Sequence, residues 1–321
     1  MESLKSPEKS PEVATPLNER WMRRYLLGLL GIALGLYLLA FVLIRWPGFE
    51  AWGGSYHGPM LDYSYTVAGE DADVVIFGDS AALYDLDTVA MSKALGMKVI
   101  NLPSTLGSLP VTLDMPLESY LTKNKKPRLI VFYFCAWDLD YHYHKGIYVP
   151  YEGQEMMAAH GSLGQILAIA RKDPTIPLMF PFRFFEANSK AVAMAAVRHQ
   201  NRSELIRAAQ GHHPVEEGLP VIESPCEIPA EFLAITEDRT VLELMKKYRE
   251  KGEQTLFVVS PIPDCTNAGV VQNRSYTDIP AVGPKAYPPN DFNDYPHMSK
   301  VGVPLATNDL LQTLRPMLEP R

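Results

Sequence analysis

The sequence predicts an α/β fold in which helices cross between the strands of a parallel sheet, preceded by one membrane-spanning helix. Short apolar runs of strand length alternate along the chain with amphipathic stretches, which is the pattern of repeated βαβ units. The runs are apolar at consecutive positions, as strands covered on both faces of a parallel sheet are. A separate uncharged stretch of about twenty residues near the N-terminus is long enough to cross a bilayer.

The N-terminal part supplies the first element. Residues 1–20 are polar and rich in Pro, Ser and Glu, so we expect a disordered cytoplasmic tail. Tyr25–Ile44 is the apolar run of a transmembrane anchor, which we place at residues 21–46 with aromatic residues at both ends. A buried core helix is seldom apolar all round for this length, and a cleaved signal peptide has a shorter apolar run and a small-residue cleavage site. We therefore expect the anchor to be retained.

Basic residues flank the anchor unequally. After the span comes Arg45, and then no Lys or Arg until Lys93. The positive-inside rule places the N-terminus in the cytoplasm and the rest of the chain outside it. In a Gram-negative cell this is a single-pass inner-membrane protein with a periplasmic domain. The basic residues before the span are Lys5, Lys9, Arg20, Arg23 and Arg24.

The overall composition narrows the classes of partner. The 321 residues carry a formal net charge of −7, and 47% are hydrophobic, so a sizeable core is possible. No basic stripe with interleaved aromatic residues is present, and we expect no nucleic-acid partner. Cys135 lies in an apolar run, whereas Cys226 and Cys265 lie in Pro-containing loops. The latter two are a candidate disulfide of an exported domain, although spacing alone leaves their pairing open.

The rest of the chain divides into a linker at 47–70 and an α/β domain at 71–321. Strands are predicted in the runs DVVIFGDS, KVINLP, PRLIVFYFCAWDLD and QTLFVVSPIP. Helices are predicted at 86–96, in LDMPLESYLTKN, in EFLAITEDRTVLELMKKYREKG and near the C-terminus. The segment at about 151–230 is too long for a normal crossover, so we expect a helical insertion beside a functional site.

The first predicted strand runs into Gly78, Asp79 and Ser80. Two interpretations of Ser80 are open: it caps the following helix, or it is a nucleophile presented at the end of a central strand. Ligands of open α/β sheets bind outside the carboxyl ends of the strands, where Ser80 falls. A serine nucleophile needs a base, and the base needs an orienting group. Asp294 and His297 have a spacing that allows both groups on one loop.

These two motifs, Gly-Asp-Ser at a strand end and Asp-x-x-His before the last helix, together resemble the SGNH (GDSL-type) hydrolase superfamily. The resemblance covers roughly residues 72–145 and 231–318. It implies a three-layer, flavodoxin-like parallel sheet. It also implies that Ser80 is the nucleophile, that His297 is the base and that Asp294 orients the base.

Members of this superfamily also use a glycine and an asparagine to stabilise the oxyanion. The resemblance assigns the glycine to Gly107, whose backbone N–H would join that of Ser80. At the place of the asparagine the chain has a turn that ends in Trp137 and Asp138 instead. Removal of one oxyanion donor costs about a hundred- to a thousandfold in rate, so either another group donates or hydrolysis is slow. Trp137 and Asp138 become candidate substrate-binding residues, with core packing as the other interpretation of Trp137.

Other polar residues are weaker candidates. His142 and His144 are two residues apart, but no further ligands accompany them, so we expect no metal and no cofactor. His212 and His213 lie in a polar loop and are expected in solvent. The acidic residues beside the first strand are interpreted structurally, as a turn residue for Asp79 and as helix-start acids for Asp85 and Asp87.

The resemblance, combined with the anchor, implies a function. Anchored proteins of this layout are associated with O-acylation of cell-surface or exopolysaccharides, beside a multi-span membrane-bound O-acyltransferase. We expect an acyl group, with acetyl as the first candidate, to pass from an ester on Ser80 to a polysaccharide hydroxyl. A carbohydrate or lipid esterase is the alternative within the same family, and an inactive scaffold that holds an acyltransferase or a polymer is the alternative outside it.

Overall fold

The structure is a computed structural model that describes residues 19–45, 58–105, 112, 114–135, 151–182, 202–213, 226–227, 240–265 and 281–319. The chain forms two compact units, Met1–Leu43 and Ile44–Arg321. The described part of the first unit is helical, and the second unit contains the sheet.

Helix α1, Glu19–Ile44, occupies the predicted anchor. It has 26 residues and is therefore about 39 Å long. Leu, the commonest residue in it, is a strong helix former. Its segment Arg20–Ile44 is long and apolar enough to cross a membrane, a test that a signal sequence near the N-terminus also passes.

The second unit is built on a parallel sheet with the strand order β2-β1-β3-β4-β6. Two further strands, β5 and β7, pair with each other in parallel. Strand β6 has two residues, so the body of the main sheet is four-stranded. The strands are β1 Val74–Gly78, β2 Val99–Pro103, β3 Leu129–Phe134, β4 Thr255–Val259, β5 Ile262–Pro263, β6 Ala281–Val282 and β7 Ala286–Tyr287.

Strand β1 lies inside the sheet, between β2 and β3, with Val75 opposite Ile100 of β2 and Ile130 of β3. Every residue of β1, β2, β3 and β4 is buried. Burial on both faces explains why these strands are apolar at consecutive positions. The mixed α/β architecture and the parallel pairing are therefore as predicted.

Helices of the second unit fall where the sequence predicts them, with additions. Pro116 lies in the first turn of α5, where its missing N–H costs no hydrogen bond. The backbone is also helical over 175–182. The helices are α2 Gly58–Thr66, α3 Ser80–Asp85, α4 Thr88–Leu95, α5 Met115–Lys123, α6 Tyr151–His160, α7 Leu163–Lys172, α8 Arg202–Ala208, α9 Thr240–Glu250 and α10 Gly302–Leu318.

Helix α2 lies inside the segment 47–70 that the sequence predicts as a linker. Met60 and Leu61 of this helix are buried, and the buried Ser64 hydroxyl donates to the Pro103 carbonyl at 2.8 Å. Gly and Pro near position 58 resemble a chain break, but a proline in the first turn is compatible with a helix. The linker prediction therefore fails for Gly58–Thr66, which belongs to the folded domain.

Helices α6, α7 and α8 occupy the predicted insertion at about 151–230. The end of α8 is tied to the central part of the domain. The Asn101 N–H of β2 donates to the Gln210 carbonyl at 2.9 Å, and the Thr88 hydroxyl donates to the Ala209 carbonyl at 2.9 Å. This end of the insertion therefore packs beside the helices that follow β1.

Candidate active site

Strand β1 ends at a position where only glycine fits. A Cβ atom on Gly78 would lie 1.9 Å from the Tyr133 carbonyl oxygen and 2.5 Å from the Ala82 Cβ. The missing side chain therefore lets α3 begin directly against the carboxyl ends of β1 and β3. The glycine of the Gly-Asp-Ser motif is explained by this close approach.

Asp79 fixes the turn between β1 and α3. One carboxylate oxygen accepts from the Ala81 N–H at 2.8 Å and caps α3, and the other accepts from the Cys135 N–H at 2.7 Å. Asp79 is fully buried. The interpretation of Ser80 as the helix cap is therefore wrong, because Asp79 fills that role, as a turn residue should. The Ser80 hydroxyl is left for another partner.

The histidine loop, residues 289–299, is shaped by its own hydrogen bonds. The Asn293 N–H donates to the His297 carbonyl at 2.9 Å, and the Ser299 N–H donates to the Asp291 carbonyl at 2.7 Å. The Asp294 Oδ1 accepts from the His297 N–H at 2.9 Å. The loop thus presents Asp294 and His297 on one tight turn, as their spacing predicts.

Two contacts attach the histidine loop to α10 and the core. Phe292 and Met298 are buried in the main hydrophobic cluster. Gly302, at the start of α10, packs so closely on the loop that a Cβ there would lie 2.2 Å from the Asp291 carbonyl oxygen. The loop is therefore seated on the domain by side chains that flank His297.

The structure brings together Ser80, His297 and Asp294. The His297 Nε2 lies 2.9 Å from the Ser80 Oγ, and the His297 Nδ1 lies 2.9 Å from the Asp294 Oδ2. The side chains of His297 and Asp294 are 21% and 25% exposed, so a substrate can reach them. With a proton on Nδ1, donated to Asp294, the Nε2 atom is free to accept the proton of the Ser80 hydroxyl.

Asp85 holds the histidine loop against α3, a role that the sequence does not predict. Its Oδ1 accepts from the Met298 N–H at 2.8 Å. Ser80 and Asp85 are the first and last residues of the six-residue helix α3. The neighbouring residues His297 and Met298 therefore contact opposite ends of one helix. The interpretation of Asp85 as a helix-start acid is wrong, because it lies at the buried end of α3, whereas Asp87 does cap α4.

The surroundings of Asp85 favour its neutral form. Burial raises the pKa of Asp85 well above its ordinary value, and the nearby carboxylates of Asp79 and Asp294 act in the same direction, against the hydrogen bond from Met298. The hydroxyl of the buried Tyr133 lies 3.5 Å from Asp85 Oδ2. Burial and the Asp85 carboxyl likewise raise the pKa of Tyr133.

Tyr84 forms a second contact between α3 and His297. Its ring meets the His297 ring edge-on, with centroids 4.9 Å apart, and the centroid of the His213 ring lies 5.6 Å from that of Tyr84. Ser80 and Tyr84 are four residues apart on α3, so they share a helix face. Tyr84 is half-buried and belongs to the rim of the site.

The prediction that His212 and His213 lie in solvent is wrong for His212. His212 is buried, with its Nδ1 3.0 Å from the Leu83 carbonyl oxygen. Burial lowers the pKa of His212 below its ordinary value. The sequence around His212 is polar, yet this stretch packs against α3, which lies more than a hundred residues earlier in the chain.

Several predicted site residues lie outside the described part of the chain. These are the candidate oxyanion glycine Gly107, the candidate substrate-binding residues Trp137 and Asp138, and the pair His142 and His144. Among the described residues, no group of three or more His, Cys, Asp or Glu side chains could hold a metal ion.

Cys226 and Cys265 form a disulfide. The bond joins residues 39 apart in sequence, one from the predicted insertion and the other two residues after β5. Cys135 is buried and is not part of a disulfide, and its backbone N–H is the group that Asp79 binds. The structure thus pairs the two cysteines that the sequence offers as a candidate disulfide.

Comparison with known proteins finds no match for this chain: no protein-family model, curated protein or solved structure matches it.

Proposed function

We propose that the protein transfers an acyl group through an ester on Ser80. The observation that carries the proposal is the chain of contacts from the Ser80 hydroxyl to the His297 ring and from that ring to the Asp294 carboxylate, each at 2.9 Å. A hydroxyl bound to an imidazole that a carboxylate orients is the arrangement that activates serine in acyl transfer. The three residues come from the two ends of the domain, which makes a chance local pairing a poor explanation.

The proposed reaction has two halves. In the first, His297 Nε2 accepts the Ser80 proton as the serine oxygen attacks the donor carbonyl carbon. The bond to the donor's leaving oxygen then breaks, and His297 gives that oxygen the proton. In the second, His297 accepts a proton from the acceptor hydroxyl, whose oxygen attacks the acyl-serine. The ester bond to Ser80 breaks, and His297 returns a proton to the serine oxygen.

Three features support an SGNH-like interpretation of the fold. The main sheet has the order β2-β1-β3-β4-β6, which matches the order of flavodoxin-like sheets. Ser80 follows the inner strand β1, and the Asp294–His297 turn precedes the last helix. The chain departs from the family at the oxyanion asparagine, so we assign oxyanion stabilisation to the backbone N–H groups of Ser80 and Gly107.

The proposed location is the periplasmic face of an inner membrane. The apolar helix α1 is followed by Arg45 and then by a long stretch without basic residues, which favours a cytoplasmic N-terminus. The disulfide between Cys226 and Cys265 favours an oxidising compartment outside the cytoplasm. We propose a cell-surface or secreted polysaccharide as the acceptor and a multi-span membrane-bound O-acyltransferase as the partner that supplies the acyl group.

A sharp test uses Ser80→Ala with Ser119→Ala as the matched control. Ser119 lies on α5 and binds the Tyr65 carbonyl, far along the chain from the candidate site. We expect a fluorophosphonate probe to label the wild-type and Ser119→Ala proteins and to leave Ser80→Ala unlabelled. Nitrophenyl acetate turnover should fall by at least about a thousandfold in Ser80→Ala.

The same assay separates the candidate functions. With an oligosaccharide acceptor present, a transferase yields acylated sugar, whereas an esterase yields free acid only. An inactive scaffold gives neither product and no fluorophosphonate label. Full turnover by Ser80→Ala would overturn the proposal, since another group would then carry the chemistry.

A further inference from the structure

The segment 163–182 exposes an unusual amount of apolar surface. It contains α7 and the helical backbone at 175–182. Soluble surfaces rarely carry contiguous apolar patches unless they bind something. The exposed large apolar side chains of this segment, with exposed fractions, are Leu163 72%, Leu167 48%, Leu178 58%, Met179 39% and Phe182 63%.

These side chains form stripes. Leu163 and Leu167 are four residues apart on α7, and Leu178 and Phe182 are four residues apart on the following helix, so each pair shares one helix face. Phe180, between them, is fully buried and faces the protein. On the second helix the stripe is therefore the outward face of an element that packs on the domain, whereas the other described side chains of α7 are half-buried or exposed. We name the five exposed side chains the apolar patch.

Charge in the segment is confined to the carboxyl end of α7. The residues from 163 to 182 include three charged ones, and these are consecutive: Arg171 and Lys172 end α7, and Asp173 follows it. Arg171 is exposed at the end of α7. A surface with bare apolar helix faces and a basic edge suits the boundary between lipid headgroups and acyl chains.

The chain connects the apolar patch to the end of the apolar helix α1. Arg45 directly follows Ile44, the last residue of α1. Its guanidinium donates to the Ala158 carbonyl at 3.0 Å and to the Gly161 carbonyl at 2.6 Å, which caps the carboxyl end of α6. Gly161 is two residues before Leu163, a distance of at most about 7 Å along the chain.

We propose that the apolar patch lies in the outer interface of the lipid bilayer and gives the domain a second attachment beside its anchor. This inference depends on the proposed membrane span. If α1 crosses the membrane, Arg45 emerges at its surface, and the Arg45 hydrogen bonds bring the start of α7 to the same surface. The domain would then have two attachments to the membrane instead of one.

The test measures the depth of single positions in the full chain. The protein is reconstituted without reductant into vesicles of equal parts phosphatidylethanolamine and phosphatidylglycerol, with or without a doxyl-labelled phosphatidylcholine quencher. Leu163→Cys and Leu178→Cys carry an NBD fluorophore. Leu34→Cys, within α1, reports insertion of the span. Val89→Cys and Val301→Cys are matched controls, since both positions are exposed and apolar but lie outside the patch.

We expect the labels at Leu163 and Leu178 to lose most of their emission to the quencher, as the label at Leu34 does, while the labels at Val89 and Val301 keep theirs. Equal emission at all four positions outside the span, with Leu34 quenched, would overturn the proposal. The proposal would also be overturned if emission at Leu163 and Leu178 changed with the protein-to-lipid ratio but not with the quencher. The patch would then bind a second copy of the chain instead of lipid. An unquenched Leu34 overturns it too, since no span is present.

Hydroxyl-radical footprinting of the unmodified chain repeats the comparison without any substitution. Leu163, Leu178 and Phe182 should be protected in vesicles, while Val89 and Val301 react. Fluorophosphonate labelling of Ser80 in the same vesicles is a separate readout. Its absence would count against the proposed chemistry and would leave the membrane contact standing.

Discussion

The two halves of the candidate active site are held in different ways. Ser80 follows a central strand and is positioned by the core, because Gly78 and Asp79 lock the turn against the end of β3. His297 sits on a loop that is shaped by local hydrogen bonds and attached through Asp85 and a few buried side chains. Substitutions around Ser80 should therefore unfold the protein. Substitutions around His297 should instead disturb the geometry of the site in a protein that stays folded.

The largest expected effect is on the base side. In Asp294→Asn one of the two oxygens that bind the His297 backbone N–H and Nδ1 becomes an NH2 donor, which disfavours the required tautomer, so turnover of nitrophenyl acetate should fall by roughly a thousand- to ten-thousandfold. Melting of the full chain in detergent should change little, since Asp294 is partly exposed. Asn290→Asp, in the same loop, is the control that changes one amide without touching His297. A large fall in melting temperature for Asp294→Asn would show that the loop supports the fold itself.

On the nucleophile side, Gly78→Ala should act on the fold. The added Cβ would overlap the Tyr133 carbonyl and the Ala82 side chain, and strand β3 cannot move without disturbing its neighbours. We expect a loss of about 4 kcal/mol of unfolding free energy, measured by thermal melting. Gly164→Ala is the control, because its Cβ would meet nothing nearer than 3.9 Å and should stabilise α7 slightly. A stable but inactive Gly78→Ala protein would contradict the expectation that changes beside Ser80 act by unfolding the domain.

Asp85 joins the two halves, so its loss should be smaller and purely positional. In Asp85→Ala the Met298 N–H loses its acceptor, and a shift of about 1 Å in His297 lowers kcat by roughly ten- to a hundredfold. Asp85→Asn keeps an oxygen at the same place and should restore most of the rate. A merely destabilising role would lower the melting temperature of both variants and leave the kcat of the folded fraction unchanged.

The smallest expected effect is a dependence of the free energy of unfolding on pH. Because the folded-state pKa of Asp85 is raised, the folded protein binds the Asp85 proton more tightly than the unfolded chain does. Proton binding at Asp85 therefore contributes its full stabilisation to the free energy of unfolding below the unfolded pKa of about 3.9. This stabilisation is lost as the pH rises through the folded pKa. Asp85→Asn should gain stability relative to the wild type over that window. A wild-type-minus-variant difference that is constant with pH would contradict the burial argument.

The sequence predicted Ser80, Asp294 and His297 because each belongs to a short motif whose residue types are tied to a reaction. The four strands were predictable because buried parallel strands are apolar at consecutive positions. Asp85 was not, since its partner Met298 lies 213 residues away and no local pattern separates it from an ordinary helix acid. Helix α2 was missed because its Gly-Pro start resembles a break, and its burial depends on contacts with β2 and α5.

Helix α3 acts as a spacer of fixed length between two consecutive residues of a distant loop. Ser80 at one end meets His297, and Asp85 at the other end meets Met298. Inserting or deleting one residue within α3 would rotate one end against the other by about 100°, so the two contacts could not be kept together. The length of this helix is therefore as much a part of the site as its side chains are. A one-residue insertion should abolish activity even when every residue of α3 is kept.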